Sequence, residues 1–213
     1  MTHPSSPSGI HHGKRNAIKL IALSALSVGA TAIFSACTAE KADFKSIDLT
    51  GADYAKDFSL PDQFGKVRTI KDFVGKVVVV FFGFTQCPDV CPTSMAELAG
   101  IKKSLGAEGD KLQAIFITVD PERDTPELLK AYMGNFDPTF LALRPGMDKL
   151  PEVAKDFKVY YKKVDGKTPG SYSMDHSAGS FVYDTQGRVR LYSRYGTGPE
   201  GLTSDIRLLL KGA

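Results

Sequence analysis

The chain has 213 residues, 42% of them hydrophobic, with 27 Lys and Arg against 24 Asp and Glu. The positive excess is confined to the start: Lys14, Arg15 and Lys19 precede Cys37 and every acidic residue follows it, so the remainder balances at 24 of each sign. Such a balance gives no sign of the concentrated basic surface that nucleic-acid binding requires, and no nucleic-acid partner is expected.

The first segment reads as a leader. Lys14, Arg15 and Lys19 form a basic start, Leu20 to Phe34 is an apolar run, and small residues lead to Cys37. A basic start, an apolar middle and small residues before a break predict a secretory signal. The Cys at the break makes residues 1–36 resemble a bacterial lipoprotein signal, cut before Cys37, which would then carry lipid. The alternative is an uncleaved membrane helix, since about 20 apolar residues span a bilayer. Either reading predicts a membrane-anchored domain on the extracytoplasmic, periplasmic side. Residues 37–56 are polar and Ala-rich and read as a linker. Residues 57–213 are expected to form one domain, because the 177 residues from Cys37 onward suit a single core.

Within that domain, Phe58-Ser59-Leu60 and Val67 to Ile70 flank a turn at Pro61 to Gly65 and predict a hairpin. The run from Val77 to Phe84 is β-branched and aromatic throughout, as expected of a central strand buried on both faces. Thr85 to Val90 reads as a loop, and Pro92 to Leu105 has helical spacing. A second buried strand is expected over Leu112 to Val119. A helix follows from Pro126 to about Asn135, with Asp124 as its capping residue and Glu127 three positions on. Phe140 to Leu143 and Val159 to Val164 read as strands, with a helix at Asp148 to Phe157 between them. Asp165 to Ser173 reads as a loop. Gly179 to Tyr183 and Val189 to Arg194 predict a second hairpin, and Pro199 to Lys211 a last helix. Alternating strands and helices give an α/β fold with a central sheet layered by helices. A redox-type Cys pair directly after the central strand makes it resemble the thioredoxin fold, with an N-terminal β-hairpin extension and an insertion around Lys158 to Met174.

The chain holds three Cys and four His, and His3, His11 and His12 lie in the leader. Beyond Cys37 there remain two thiols, Cys87 and Cys91, and one imidazole, His176. Two Cys are too few for a disulfide scaffold. A thiolate is a soft ligand that favours Cu(I) and Zn, and a helix N-terminus stabilises it. Pro92 disfavours helical geometry at Cys91. That places Cys91 at the helix mouth and Cys87 in the preceding loop, with both thiols exposed. They are near enough to share one ion or to form a disulfide.

Three blocks in order then carry a resemblance to the Sco/SenC proteins. They are Gly83-Phe84-Thr85-Gln86-Cys87-Pro88-Asp89-Val90-Cys91-Pro92, Val119-Asp120-Pro121-Glu122-Arg123-Asp124-Thr125-Pro126, and Asp175-His176-Ser177. The resemblance covers about Asp57 to Lys211. It implies a thioredoxin-like copper protein that helps to assemble the copper site of cytochrome c oxidase, with the copper-binding oxidase subunit as partner. It also implies metal ligation by Cys87, Cys91 and His176. Two thiolates and one imidazole suit Cu(I), and Cu(II) with an added ligand. Asp175 reads either as a partner orienting the imidazole or as a plain loop carboxylate. Met95 reads as core, and Met174 as either core or an auxiliary contact. Asp120, Glu122 and Arg123 read as solvated or as a docking edge, and Tyr160-Tyr161 as strand packing.

Three functions compete on these residues. A copper metallochaperone needs both Cys and His176. A thiol–disulfide reductase acting on an oxidase subunit needs Cys87 and Cys91 alone as a redox-active pair. A thiol peroxidase is disfavoured, because the first block lacks the Thr-x-x-Cys arrangement of peroxiredoxins.

Overall fold

The structure, a computed structural model, describes residues 42–213. The leader and Cys37, with the lipid attachment expected there, lie outside the described residues. Among the described residues no helix is long and apolar enough to cross a membrane.

The strands are β1 (Ile47–Asp48), β2 (Leu60–Pro61), β3 (Val67–Arg68), β4 (Val77–Gly83), β5 (Leu112–Thr118), β6 (Leu141–Leu143), β7 (Tyr161–Asp165), β8 (Tyr172–His176), β9 (Ser180–Tyr183) and β10 (Val189–Ser193). The α-helices are α1 (Val90–Ser104), α2 (Pro126–Gly134), α3 (Leu150–Asp156) and α4 (Pro199–Leu210). Six strands form one mixed sheet in the order β1-β10-β9-β4-β5-β6. β4 runs parallel to β5 and antiparallel to β9. This is the thioredoxin-like α/β architecture expected.

β4 sits at the middle of the sheet, and all seven of its residues are buried. An uninterrupted apolar strand has no solvent face to spare, which is why Val77 to Phe82 carries no polar alternation. Phe81 meets Phe116 of β5 at 6.2 Å between ring centroids, and Phe82 meets Phe157 at 5.0 Å. Aromatic packing therefore pins both faces of the strand whose end carries the site.

The β2–β3 hairpin forms where expected, although Ile70 joins a 3-10 turn at Ile70–Phe73 instead of the strand. The hairpin closes onto the β6 edge: Gln63 N donates to Ala142 O at 3.0 Å, and Ala142 N to Gln63 Oε1 at 2.8 Å. This covers backbone groups that an open sheet edge would leave unpaired.

Two segments depart from the sequence reading. Residues 42–56, read as linker, are built into the domain. β1 pairs with β10, Ala55 is buried, and Phe44, Leu49, Ala52 and Tyr54 pack on the core. The buried Asp205 carboxylate holds the turn before β1 by accepting from Lys45 N at 2.8 Å and Ser46 N at 2.9 Å. A two-residue strand in a polar stretch leaves no periodic signal, so only these long-range bonds define it. The second departure is β8. Part of the stretch read as a Gly/Ser-rich loop is a strand, paired antiparallel with β7 from Tyr161↔His176 to Asp165↔Tyr172. Its alternation is carried by Tyr172, Met174 and His176, of which only Met174 is strongly apolar.

Candidate metal centre

Cys87, Cys91 and His176 each offer one ligand atom, and the three atoms lie within 4.8 Å of one another. Three different elements bring them together: the loop after β4, the first turn of α1, and the end of β8. Both cysteines are free thiols.

α1 begins at Val90, so Cys91 is its second residue. Pro92 does not expel Cys91 from the helix as expected. The first N–H groups of a helix have no acceptor within it, so proline in the first turn forfeits no hydrogen bond. The Cys91 N–H, one of these unpaired donors, points instead at Cys87 Sγ at 3.4 Å. The helix N-terminus and the first thiol are thereby joined.

The expectation of two exposed thiols is also corrected. Cys87 is half-buried, whereas Cys91 is fully buried. Burial pushes the Cys91 thiol well above its ordinary value, the neighbouring Cys87 adds to this, and the Phe84 backbone opposes it. Desolvation thus overrides the helix N-terminus, and burial favours the protonated thiol.

Gly83, the last residue of β4, makes room for this thiol. A Cβ there would stand 2.8 Å from Cys91 Sγ, Phe116 Cε2 and Phe81 Cε1. Its requirement is close approach, since its φ is not in the left-handed region.

His176 Nε2 lies 3.5 Å from Cys91 Sγ, and its Nδ1 lies 2.9 Å from the Ser177 carbonyl oxygen. A carbonyl can only accept, so Nδ1 carries the proton and Nε2 presents its lone pair towards the thiols. Burial lowers the imidazole pKa, against smaller opposing effects of the Ser177 carbonyl and Asp175, which favours the neutral, ligating form. Phe81 and Phe84 meet the imidazole edge-on, at 6.1 and 5.8 Å between centroids. Asp175 faces out, exposed, so the orienting partner is the Ser177 backbone and not Asp175.

Asp124 does not cap α2; Thr125 does, accepting from Leu128 N. Asp124 is fully buried and accepts from Thr85 N at 3.2 Å, Thr85 Oγ1 at 2.6 Å and Thr118 Oγ1 at 2.5 Å. It thus ties the start of the cysteine loop to the end of β5. Burial raises its carboxyl pKa, against the lowering effect of those hydrogen bonds. The two threonines sit at strand ends, and that spacing alone does not reveal a shared carboxylate. Met95 and Met174 are both buried in the core. Tyr160 is exposed outside β7, while Tyr161 packs on the core, so the pair does not act together.

The SCO1/SenC family model matches residues 48–211. This chain belongs to the SCO1/SenC family. Among the family's members, the SCO2-like protein of Rickettsia felis is 32% identical over 203 residues, spanning 92% of this chain and 97% of its own. Bradyrhizobium japonicum ScoI, solved with copper bound, is 41% identical with a TM-score of 0.65, over 72% of this chain and 97% of that one. Yeast Sco1, also solved with copper bound, is 31% identical with a TM-score of 0.66, over 74% and 88% respectively. The SCO1/SenC fold thus extends over the whole region that carries the three converging side chains.

Proposed function

We propose that this protein is a copper metallochaperone that holds one copper ion through Cys87, Cys91 and His176. It would deliver the ion to the copper-binding subunit of cytochrome c oxidase during assembly. The observation that carries this reading is the convergence of the two thiols and the imidazole within 4.8 Å. The donor set fits the ion: soft thiolates and imidazole nitrogen favour copper over hard cations. The wall formed by Phe81 and Phe84 limits water around the imidazole. The copper-bound relatives support the same cargo. Three donors suit Cu(I), and Cu(II) would need an added ligand.

The rival reading is a thiol–disulfide reductase for the same subunit, and the two free, adjacent thiols favour it. His176→Ala separates them. A carrier loses oxidase assembly in this variant almost as fully as in Cys87→Ser or Cys91→Ser. A reductase fails only in the Cys variants. The measurement is oxidase activity in cells on limiting copper, with protein levels checked. Normal assembly with His176→Ala and none with either Cys variant would replace the carrier by the reductase. Rescue of His176→Ala by added copper supports the carrier, since mass action offsets a weakened site.

The domain would work on the extracytoplasmic side, tethered by lipid on Cys37 after removal of residues 1–36. Mass spectrometry of the membrane-bound protein should find an acylated Cys37 as the first residue. An intact, unacylated leader would replace the lipid by a membrane helix.

A further inference from the structure

The candidate site is assembled from two parts of the fold. Cys87 and Cys91 belong to the main domain, at the end of β4 and the start of α1. His176 belongs to the β7–β8 hairpin, which forms a separate two-stranded sheet. Most hairpin residues are exposed, and Met174 is the only buried one. A lone two-stranded hairpin is marginally stable in water, so the place of His176 relative to the thiols depends on what holds β8 down.

Alternate residues of a strand share a face. Tyr172, Met174 and His176 therefore share the inward face of β8, and Ser173 and Asp175 point outwards. At the end of that inward row stands Arg123, from the block read as a solvated or docking edge. Its Nη1 donates to the Tyr172 carbonyl at 2.9 Å and to Gln86 Oε1 at 3.0 Å. Gln86 directly precedes Cys87. One guanidinium thus spans from the cysteine loop to the histidine strand. The guanidinium also stacks on the Tyr172 ring at 3.6 Å and lies 5.8 Å from the Phe84 ring. Phe84 is in turn edge-on to His176. Asp120 fixes the arrangement from behind: it pairs with Arg123 Nε and accepts from Tyr172 Oη at 2.9 Å. Asp120 itself is buried and anchored to Thr118 Oγ1 through its backbone N–H at 2.9 Å.

We infer that Arg123 is a positioning residue for copper. With Asp120 it clips β8 against the cysteine loop and so sets the distance between the His176 imidazole and the two thiols. A planar guanidinium can bond two acceptors while stacking on an aromatic face, which a lysine cannot reproduce. This inference rests on the three-ligand reading of the site, and the test distinguishes failure of the one from failure of the other.

Cu(I) affinity is measured by chelator competition on the full chain in detergent, for wild type, Arg123→Ala, His176→Ala and the double variant. Loss of a group that orients a ligand costs roughly tenfold or more in metal affinity. Arg123→Ala is therefore expected to weaken binding about tenfold. In the His176→Ala background the same change should have no further effect, because there is no imidazole left to place. Gln86→Ala removes one arm of the clip from an exposed side chain and leaves folding safe. It should weaken binding about threefold, again only when His176 is present. In the Cu(II)-loaded protein, Arg123→Ala should also weaken the nitrogen hyperfine signal of the imidazole. Wild-type affinity in both Arg123→Ala and Gln86→Ala would overturn the inference. Equal losses with and without His176 would do the same, since they would mean that Arg123 acts on the fold or the thiols. Unchanged affinity in His176→Ala would overturn the ligand assignment, and the inference with it.

Discussion

Cys91 Sγ and His176 Nε2 stand 3.5 Å apart although 85 positions separate them along the chain. Both are held by close neighbours: Cys91 is a buried residue in the first turn of α1, and His176 stands against two phenylalanine rings. Two side chains held at this separation by the fold reduce the ordering that metal binding must accomplish.

Copper uptake should be coupled to proton release. Burial keeps the Cys91 thiol protonated in the copper-free protein, its pKa lying above the ordinary range. A metal-bound thiolate must lose that proton. Apparent Cu(I) affinity should then rise about tenfold per pH unit from this thiol alone across the neutral range. Because the imidazole pKa is lowered, competition by protons at His176 should set in only on the acid side of its ordinary value. Affinity measured by competition between pH 6 and 8, with the chelator's own titration subtracted, tests this. A flat profile would mean that Cys91 is already a thiolate or is not a ligand.

Oxidation should close the site. A Cys87–Cys91 disulfide removes both thiolates, so the oxidised domain should retain little Cu(I) while the reduced one binds about one ion. Copper should also raise the unfolding midpoint of the reduced form only. At a free ion concentration a thousandfold above Kd the gain is about 4 kcal/mol. Equal copper contents in the two redox states would remove the thiols from the ligand set.

Gly83→Ala should disturb the site without changing any ligand. The added methyl meets Cys91 Sγ and two ring carbons at 2.8 Å, and overpacking of this kind costs about 1–3 kcal/mol. We expect a lower melting temperature and weaker copper binding, since the thiol or the strand end must move. A variant with wild-type affinity would show that Cys91 can yield without losing its geometry.

Asp124→Ala leaves two hydroxyls and one backbone N–H without their acceptor, at a cost on the order of 3 kcal/mol. Asp124→Asn should cost less, because its Oδ1 still accepts from one side of the cluster, although its amide N–H₂ faces donors. The pH dependence has a definite sign. A carboxyl whose pKa is raised in the fold stabilises the protein when protonated, and that contribution is lost as pH rises through the folded pKa. The advantage of wild type over Asp124→Asn should therefore shrink with rising pH. Urea unfolding of both proteins across the acid range would measure it, and an advantage that grows with pH would contradict the assignment.

Local chemistry in the sequence determined the central strands, the helices and the three candidate ligands. β4 and β5 are legible because strands buried on both faces are mainly apolar, β4 without a polar residue and β5 with only Gln113 and Thr118. α2 and α4 are legible because Pro126 and Pro199 open them. Cys87, Cys91 and His176 stood out because no other thiol or imidazole follows Cys37. Tertiary structure alone decided the features that rest on contacts between distant segments. β1 forms because β10 and Asp205 meet it, and β8 because β7 lies beside it. Cys91 is buried in the core close to Gly83 at the end of β4, and this burial overrides the effect of the helix N-terminus on its thiol. Asp124 turns inwards to Thr85 and Thr118, and Arg123 reaches Gln86 and Tyr172. The physical reason is common to all of them. Propensity and periodicity act over a few residues, whereas burial and buried hydrogen bonds depend on which distant groups the folded chain brings within a few ångströms.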